Sequence, residues 1–231
     1  MKRILNYFTL FEWFLWLCSM GVVVISYVAF KRPLDLSFAA SLIGATALIF
    51  TAKANPIGPV LMVMFSIVYG YISYTFSYFG EMITYLGMTL PMAVFSITEW
   101  LKNPFKGKKS EVAVNRIGKT ETALMLLVAA AVTVLFYFLL KHLKTANLLV
   151  SAFSVATSFI AAYFTLRRSP YYALAYAVND IVLIVMWTLA AFENTYYLSV
   201  VICFVMFLVN DSYGYINWRK IERRQGKTKN I

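Results

Sequence analysis

One histidine and two cysteines in 231 residues leave little for metal or redox chemistry. Cys18 and Cys203 lie far apart, each inside an apolar run, so no disulfide framework is expected. His142 stands beside lysines and supports neither a metal site nor a proton relay. No Walker loop, dinucleotide glycine pattern or nucleophile–base set occurs, and no cofactor is expected. Charge is scarce: charged residues make up 13% of the chain, where soluble domains carry roughly a quarter. Any enzyme role would therefore rest on carboxylates alone, and acidic residues number 10. The first apolar run is too long, and lacks the small-residue cleavage pattern, to be a signal peptide.

Apolar sequence takes the place of what is missing. Hydrophobic residues make up 61% and mean hydropathy is +0.71. The runs are about 20 residues long and do not alternate, so the chain reads as an all-α integral membrane protein. Eight spans are predicted: 10–30, 36–51, 57–78, 82–100, 122–140, 148–166, 171–192 and 196–218. A seven-span reading, with the first segment lying in the interface, is the rival. The net charge of +11 does not point to nucleic acid, because the basic residues flank apolar runs. With eight spans, 17 of the 21 Lys and Arg fall on one side. They are Lys2, Arg3, Lys53, six in the 102–119 loop, Arg167, Arg168 and six in the tail. Lys31, Arg32, Lys141 and Lys144 fall on the other. This bias places both termini in the cytoplasm.

The chain repeats weakly. Pro56 opens the third segment as Pro170 opens the seventh; Glu81 and Tyr85 correspond to Glu193 and Tyr197; Trp100-Leu101-Lys102 closes the fourth segment as Trp218-Arg219-Lys220 closes the eighth. Chance likeness among hydrophobic helices is the competing account. A true repeat makes segments two to four and six to eight parallel bundles joined by segment five, a transporter design with substrate at the repeat interface. The units are an N-terminal helix (1–33), a first triple bundle (34–101), a basic loop and linker helix (102–145), a second triple bundle (146–218) and a basic tail (219–231) expected to be disordered beyond its first turn.

Polar groups inside apolar spans are costly and mark sites or partners. Asn210-Asp211-Ser212-Tyr213-Gly214-Tyr215 and Asn179-Asp180 are the prominent cases. As helices, the eighth segment puts Asn210, Tyr213, Gly214 and Asn217 on one face, continued inward by Phe207 and Cys203, and the seventh aligns Tyr172, Tyr176, Asn179, Leu183, Met186 and Trp187. Amides beside aromatics suit a flat, uncharged or cationic ring bearing hydroxyl groups. Asp180 and Asp211 are candidates for the same ligand, or for pairing with Arg167, Arg168 or Arg219; Asp211 is divided between ligand contact and holding the helix end. Tyr69 is deep enough to reach a central site, whereas Tyr78 suits an interfacial belt. Trp100 and Trp218 are expected as interface anchors, Glu81 as a cap or a shaper of the outer opening, and Glu12 as structural.

The Asn210–Tyr215 run with Trp218-Arg219-Lys220, Asn179-Asp180 with Trp187, and Tyr85-Leu86-Gly87-Met88 through Pro91 to Trp100 together resemble the PnuC family of vitamin B3 transporters, over nearly the whole chain. That family is similar to SWEET sugar transporters in a 3+1+3 helix arrangement. The resemblance implies uptake of nicotinamide riboside by facilitated diffusion with alternating access, a homotrimer in a bacterial inner membrane, and trapping by a cytoplasmic riboside kinase. Substrate-binding positions carried by the resemblance and the faces are Asn179, Trp187, Asn210, Tyr213, Asp180, Asp211, Tyr69 and Met186, with no metal and no nucleic acid. The chain departs from the family in having no membrane-embedded Gln; Gln225 is its only one. Thiamine or a deoxynucleoside is the alternative cargo. A carboxylate-dependent membrane enzyme and a non-transporting receptor are the alternatives of other classes.

Overall fold

A computed structural model describes residues 7–31, 35–75, 79–145 and 147–229. Lys2, Arg3, Arg32 and Tyr78, which carried sequence expectations, lie outside the described residues. The apolar segments all become helices: α1 (Leu10–Ala29), α2 (Leu36–Ala52), α3 (Ile57–Thr75), α4 (Phe79–Lys102), α5 (Lys119–His142), α6 (Leu148–Leu166), α7 (Tyr172–Ala191) and α8 (Leu198–Lys229). Seven are long and apolar enough to cross a membrane, counting the short 3-10 turn Thr195–Tyr197 as the start of the last; α2 is a shorter apolar helix. At 1.5 Å per residue its 17 residues span about 26 Å, close to the ~30 Å of a hydrocarbon core. Large apolar side chains such as Leu17, Val28, Leu127, Leu135 and Phe138 point outward. That exposure is tolerable only where the surrounding medium is itself apolar.

Local chemistry sets the helix ends. Thr9 and Glu12 form a reciprocal capping box at the start of α1, and Asp35 caps α2 by accepting from Ser37 and Phe38. Within α4, residues Thr84–Thr89 widen into a π-helical turn in which the Leu90 N–H reaches the Tyr85 carbonyl. Pro91 follows directly. Its ring would press on the Gly87 carbonyl of a regular helix, and the wider turn relieves that clash.

The turns after α2 and α6 are built alike. Ala54 and Arg168, 114 positions apart, both take a left-handed φ of 55°. Each N–H bonds the carbonyl three residues back, to Thr51 and to Thr165. The next residues match too: Asn55 accepts from the Ile57 N–H and Ser169 from the Tyr171 N–H. The two halves then exchange contacts. The Trp100 indole N–H donates to the Thr165 carbonyl at 2.9 Å, and that of Trp218 to the Thr51 carbonyl at 2.8 Å. Their ring centroids are 5.6 Å apart. Both tryptophans are fully buried, so they are not the interface anchors expected from sequence. Each indole N–H takes the second acceptor position of a carbonyl that already closes the left-handed turn, and this partner lets the ring be fully buried. The first and fifth helices also correspond: α1 packs on α2 and α8, and α5 packs on α6 and touches α4.

The basic loop contains a hairpin, β1 (Pro104–Phe105) with β2 (Lys108–Val112), closed by left-handed Lys106 and Gly107. It lies under the bundle, where the Val112 N–H bonds the Ala54 carbonyl and the Asn115 N–H bonds the Arg168 carbonyl. The tail was expected to be disordered, but α8 continues to Lys229. Gln225 explains the difference. It accepts from the Val114 N–H and donates to the Val112 carbonyl and Glu111, while Glu222 pairs with Arg116 and Arg219. All of these partners except Arg219 lie more than a hundred residues away in sequence, so composition gave no sign of them.

Candidate functional site

Between α2, α3, α7 and α8, toward the end away from the hairpin, lies an apolar cavity of ≈ 60 Å³. Phe65, Tyr69 and Phe207 form one wall; Trp187 and Tyr197 form another. Phe65 and Tyr69 stack at 5.4 Å, and Tyr85 from the π-helical turn lies 4.5 Å from Tyr69. Trp187 and Tyr197 are 5.3 Å apart. Ser37, Ser41 and Ser73 supply hydroxyls. A second cavity, ≈ 230 Å³, lies beside the start of α4 and is lined by Glu81, Met186 and Trp187. Trp187 therefore borders both.

Three of the eight expected positions, Tyr69, Trp187 and Met186, line these cavities. Asn179 turns to α6, where its Oδ1 accepts from Thr157 at 2.7 Å and Ser158 at 2.9 Å. Asn210 turns to α1: its Nδ2 donates to the Ser19 hydroxyl at 2.8 Å, while its buried Oδ1 has no partner. Tyr213 donates to Glu12 at 2.7 Å. The predicted stripe on α8 thus divides, with Gly214 against Tyr172 and Ala173 and Asn217 donating to the Ala52 carbonyl. No Cβ could be added at Gly214 without pressing the Tyr172 hydroxyl, 3.0 Å away.

Asp180 and Asp211 meet neither Arg167 nor Arg219. Arg167 pairs with Glu121 and Arg219 with Glu222. The two carboxyls instead lie within hydrogen-bonding range of each other between α7 and α8, both buried, with Asp180 Oδ2 unpartnered. Such a contact is attractive only when a proton lies between the oxygens. Among the described residues no group of three His, Cys, Asp or Glu is placed to hold a metal ion.

A buried aromatic cavity walled by helices of both halves, in a bundle of membrane-length helices, is the geometry of a solute carrier. Comparison with known proteins agrees. The family model for nicotinamide mononucleotide transporters matches residues 35–220. The chain belongs to that family. It is a multi-pass membrane transporter of the PnuC type, not an enzyme. It is similar to the nicotinamide riboside transporter PnuC of Neisseria mucosa, 31% identical over 229 residues covering 96% of this chain and 86% of that one. It is also similar to the crystal structure of the vitamin B3 transporter PnuC, with TM-score 0.80, 25% identity and 94% of each chain covered.

Within this PnuC-type chain, sequence reading did not place Phe65, Tyr85 and Tyr197 at the site, whereas Phe207 and Cys203, on the inward part of the eighth-segment stripe, do line the cavity. A signal for two of them existed. Tyr85 and Tyr197 are repeat counterparts, and each packs on a cavity aromatic of its own half, Tyr69 and Trp187. Phe65 carried no signal, since a phenylalanine in an apolar helix looks the same facing a cavity, a neighbouring helix or lipid.

Proposed function

We propose that this protein takes up nicotinamide riboside by facilitated diffusion. The carrying observation is the cavity bounded by Tyr69, Trp187, Tyr197 and Phe207, in a chain similar to the Neisseria mucosa transporter named for that substrate. Aromatic walls stack on the nicotinamide ring and favour its positive charge. The serine hydroxyls at the rim suit the ribosyl group. On this reading Tyr69, Trp187 and Met186 contact substrate. Asn179, Asn210 and Tyr213 hold neighbouring helices in place, and the Asp180–Asp211 pair joins α7 to α8 beside the site. The matched turns and the exchanged tryptophans support parallel halves in the 3+1+3 arrangement, whose rocking alternates access. The hairpin end is cytoplasmic on the charge bias, in a bacterial inner membrane. Net uptake then needs a cytoplasmic riboside kinase, and the working unit is a homotrimer.

The test is counterflow of labelled nicotinamide riboside into proteoliposomes. Flux should saturate, stop at equal concentrations, and be unaffected when pH or sodium gradients are collapsed. Accumulation against a gradient would replace facilitated diffusion with coupling. Flux of thiamine or a deoxynucleoside, without flux of nicotinamide riboside, would change the cargo.

A further inference from the structure

The ≈ 230 Å³ cavity holds a carboxylate that the aromatic site does not use. Glu81 lies in the first turns of α4, is only 9% exposed, and lines this cavity. Among the described residues its carboxylate makes no ion pair and no hydrogen bond. Lys144 lines the same cavity without pairing to it. The other carboxylates with comparable burial are all partnered: Glu12 by Lys53 and Tyr213, Glu222 by Arg116 and Arg219, and Asp180 and Asp211 by each other. A buried carboxylate without a partner is costly and persists where a cation arrives to meet it.

The surroundings define that cation. The cavity exceeds the ~150 Å³ that holds a benzene ring. Trp187, 7% exposed, walls it and offers a ring face to a positive charge. Thr84, Thr145 and Ser151 add hydroxyls. Trp187 also walls the aromatic cavity, so the two cavities are neighbours across its indole.

We propose that Glu81 and Trp187 form an access site for flat organic cations at the end opposite the hairpin. The site selects the pyridinium form of a nucleoside over neutral rings of the same shape. The substrate clause rests on the nicotinamide riboside reading, and the orientation places the site outside the cell. Glu81 makes the first electrostatic contact, Trp187 stacks on the ring, and the aromatic cavity, ≈ 60 Å³ in this conformation, widens to receive it.

The experiment is calorimetric titration of the purified protein with N-methylnicotinamide, a cation, and with nicotinamide, its neutral counterpart. Counterflow of nicotinamide riboside is run in parallel. The wild-type protein should bind the cation at least tenfold more tightly. Glu81→Gln should abolish that preference while leaving nicotinamide binding unchanged, and Glu81→Asp should keep part of it. A wild-type protein without the preference, or a folded Glu81→Gln variant that retains it, overturns the proposal. Wild-type flux without the preference defeats the access site alone; the preference without flux defeats the transport reading alone. Size-exclusion chromatography confirms that both variants fold, and the near-isosteric Gln makes loss of fold at this edge of the cavity a failure of the proposal too, since it would show a structural role for the charge.

Discussion

Tyr213 donates its hydroxyl to Glu12 at 2.7 Å, and the same carboxylate receives Lys53 at 2.8 Å. Three residues from α8, α1 and the turn after α2 thus close one buried cluster. Glu12 is 2% exposed, so the carboxylate depends on these donors. Tyr213→Phe removes one of them and leaves ring packing intact. It should lower stability by about 1.5–3 kcal/mol, as for hydrogen bonds to charged groups, with affinity for nicotinamide riboside changed less than twofold. Thermal unfolding in detergent and calorimetry read the two effects separately. A large loss of affinity at unchanged stability would return Tyr213 to the binding site.

Trp187 borders both cavities. Trp187→Ala should weaken nicotinamide riboside binding at least tenfold, about 1.4 kcal/mol, and Trp187→Phe should recover part of that. Calorimetry on the two variants is the check; equal affinities in both would remove stacking from the account.

The Asp180–Asp211 contact separates two substitutions that composition would treat alike. Asp180→Asn keeps a hydrogen-bond donor facing Asp211 and should remain folded. Asp180→Ala leaves Asp211 buried without this partner and should cost about 1–3 kcal/mol, the range for a buried polar group left unsatisfied. Thermal unfolding midpoints of the two variants decide it, and indistinguishable values would show that the contact contributes nothing.

Trp100 and Trp218 each bond a carbonyl of the opposite half. Trp218→Phe removes this donor while the Thr51 carbonyl keeps the Ala54 N–H, for a loss of about 0.5–1.5 kcal/mol. Adding Trp100→Phe should be non-additive, since the rings touch. A double-mutant cycle by chemical denaturation measures the coupling, and strict additivity would mean that the two halves are joined elsewhere.

Gln225 fastens the end of α8 to the hairpin strand through the backbone of Val112 and Val114. Gln225→Ala should speed hydrogen exchange at 110–115 while leaving exchange in α7 unchanged. Protection that persists would show that Glu222 and Glu111 alone hold the hairpin.

Much of this protein was determined by sequence alone. Long apolar runs dictated membrane helices, because lipid offers backbone groups no partners and each segment must satisfy its own. The Pro56/Pro170 and Trp100/Trp218 correspondences fall at turns of matching geometry and at matching indole–carbonyl contacts. What tertiary structure decided was direction. Periodicity places Asn179, Asn210 and Tyr213 on faces of α7 and α8, yet it does not say which helix covers each face. Thr157, Ser19 and Glu12 cover them, and their distance along the chain hid the pairing. A polar side chain in a membrane helix must find a partner. Sequence shows the need, and only packing shows whether another helix or a ligand meets it. For Asn210 that partner is Ser19 on the first helix; for Glu81 the fold leaves a cavity instead.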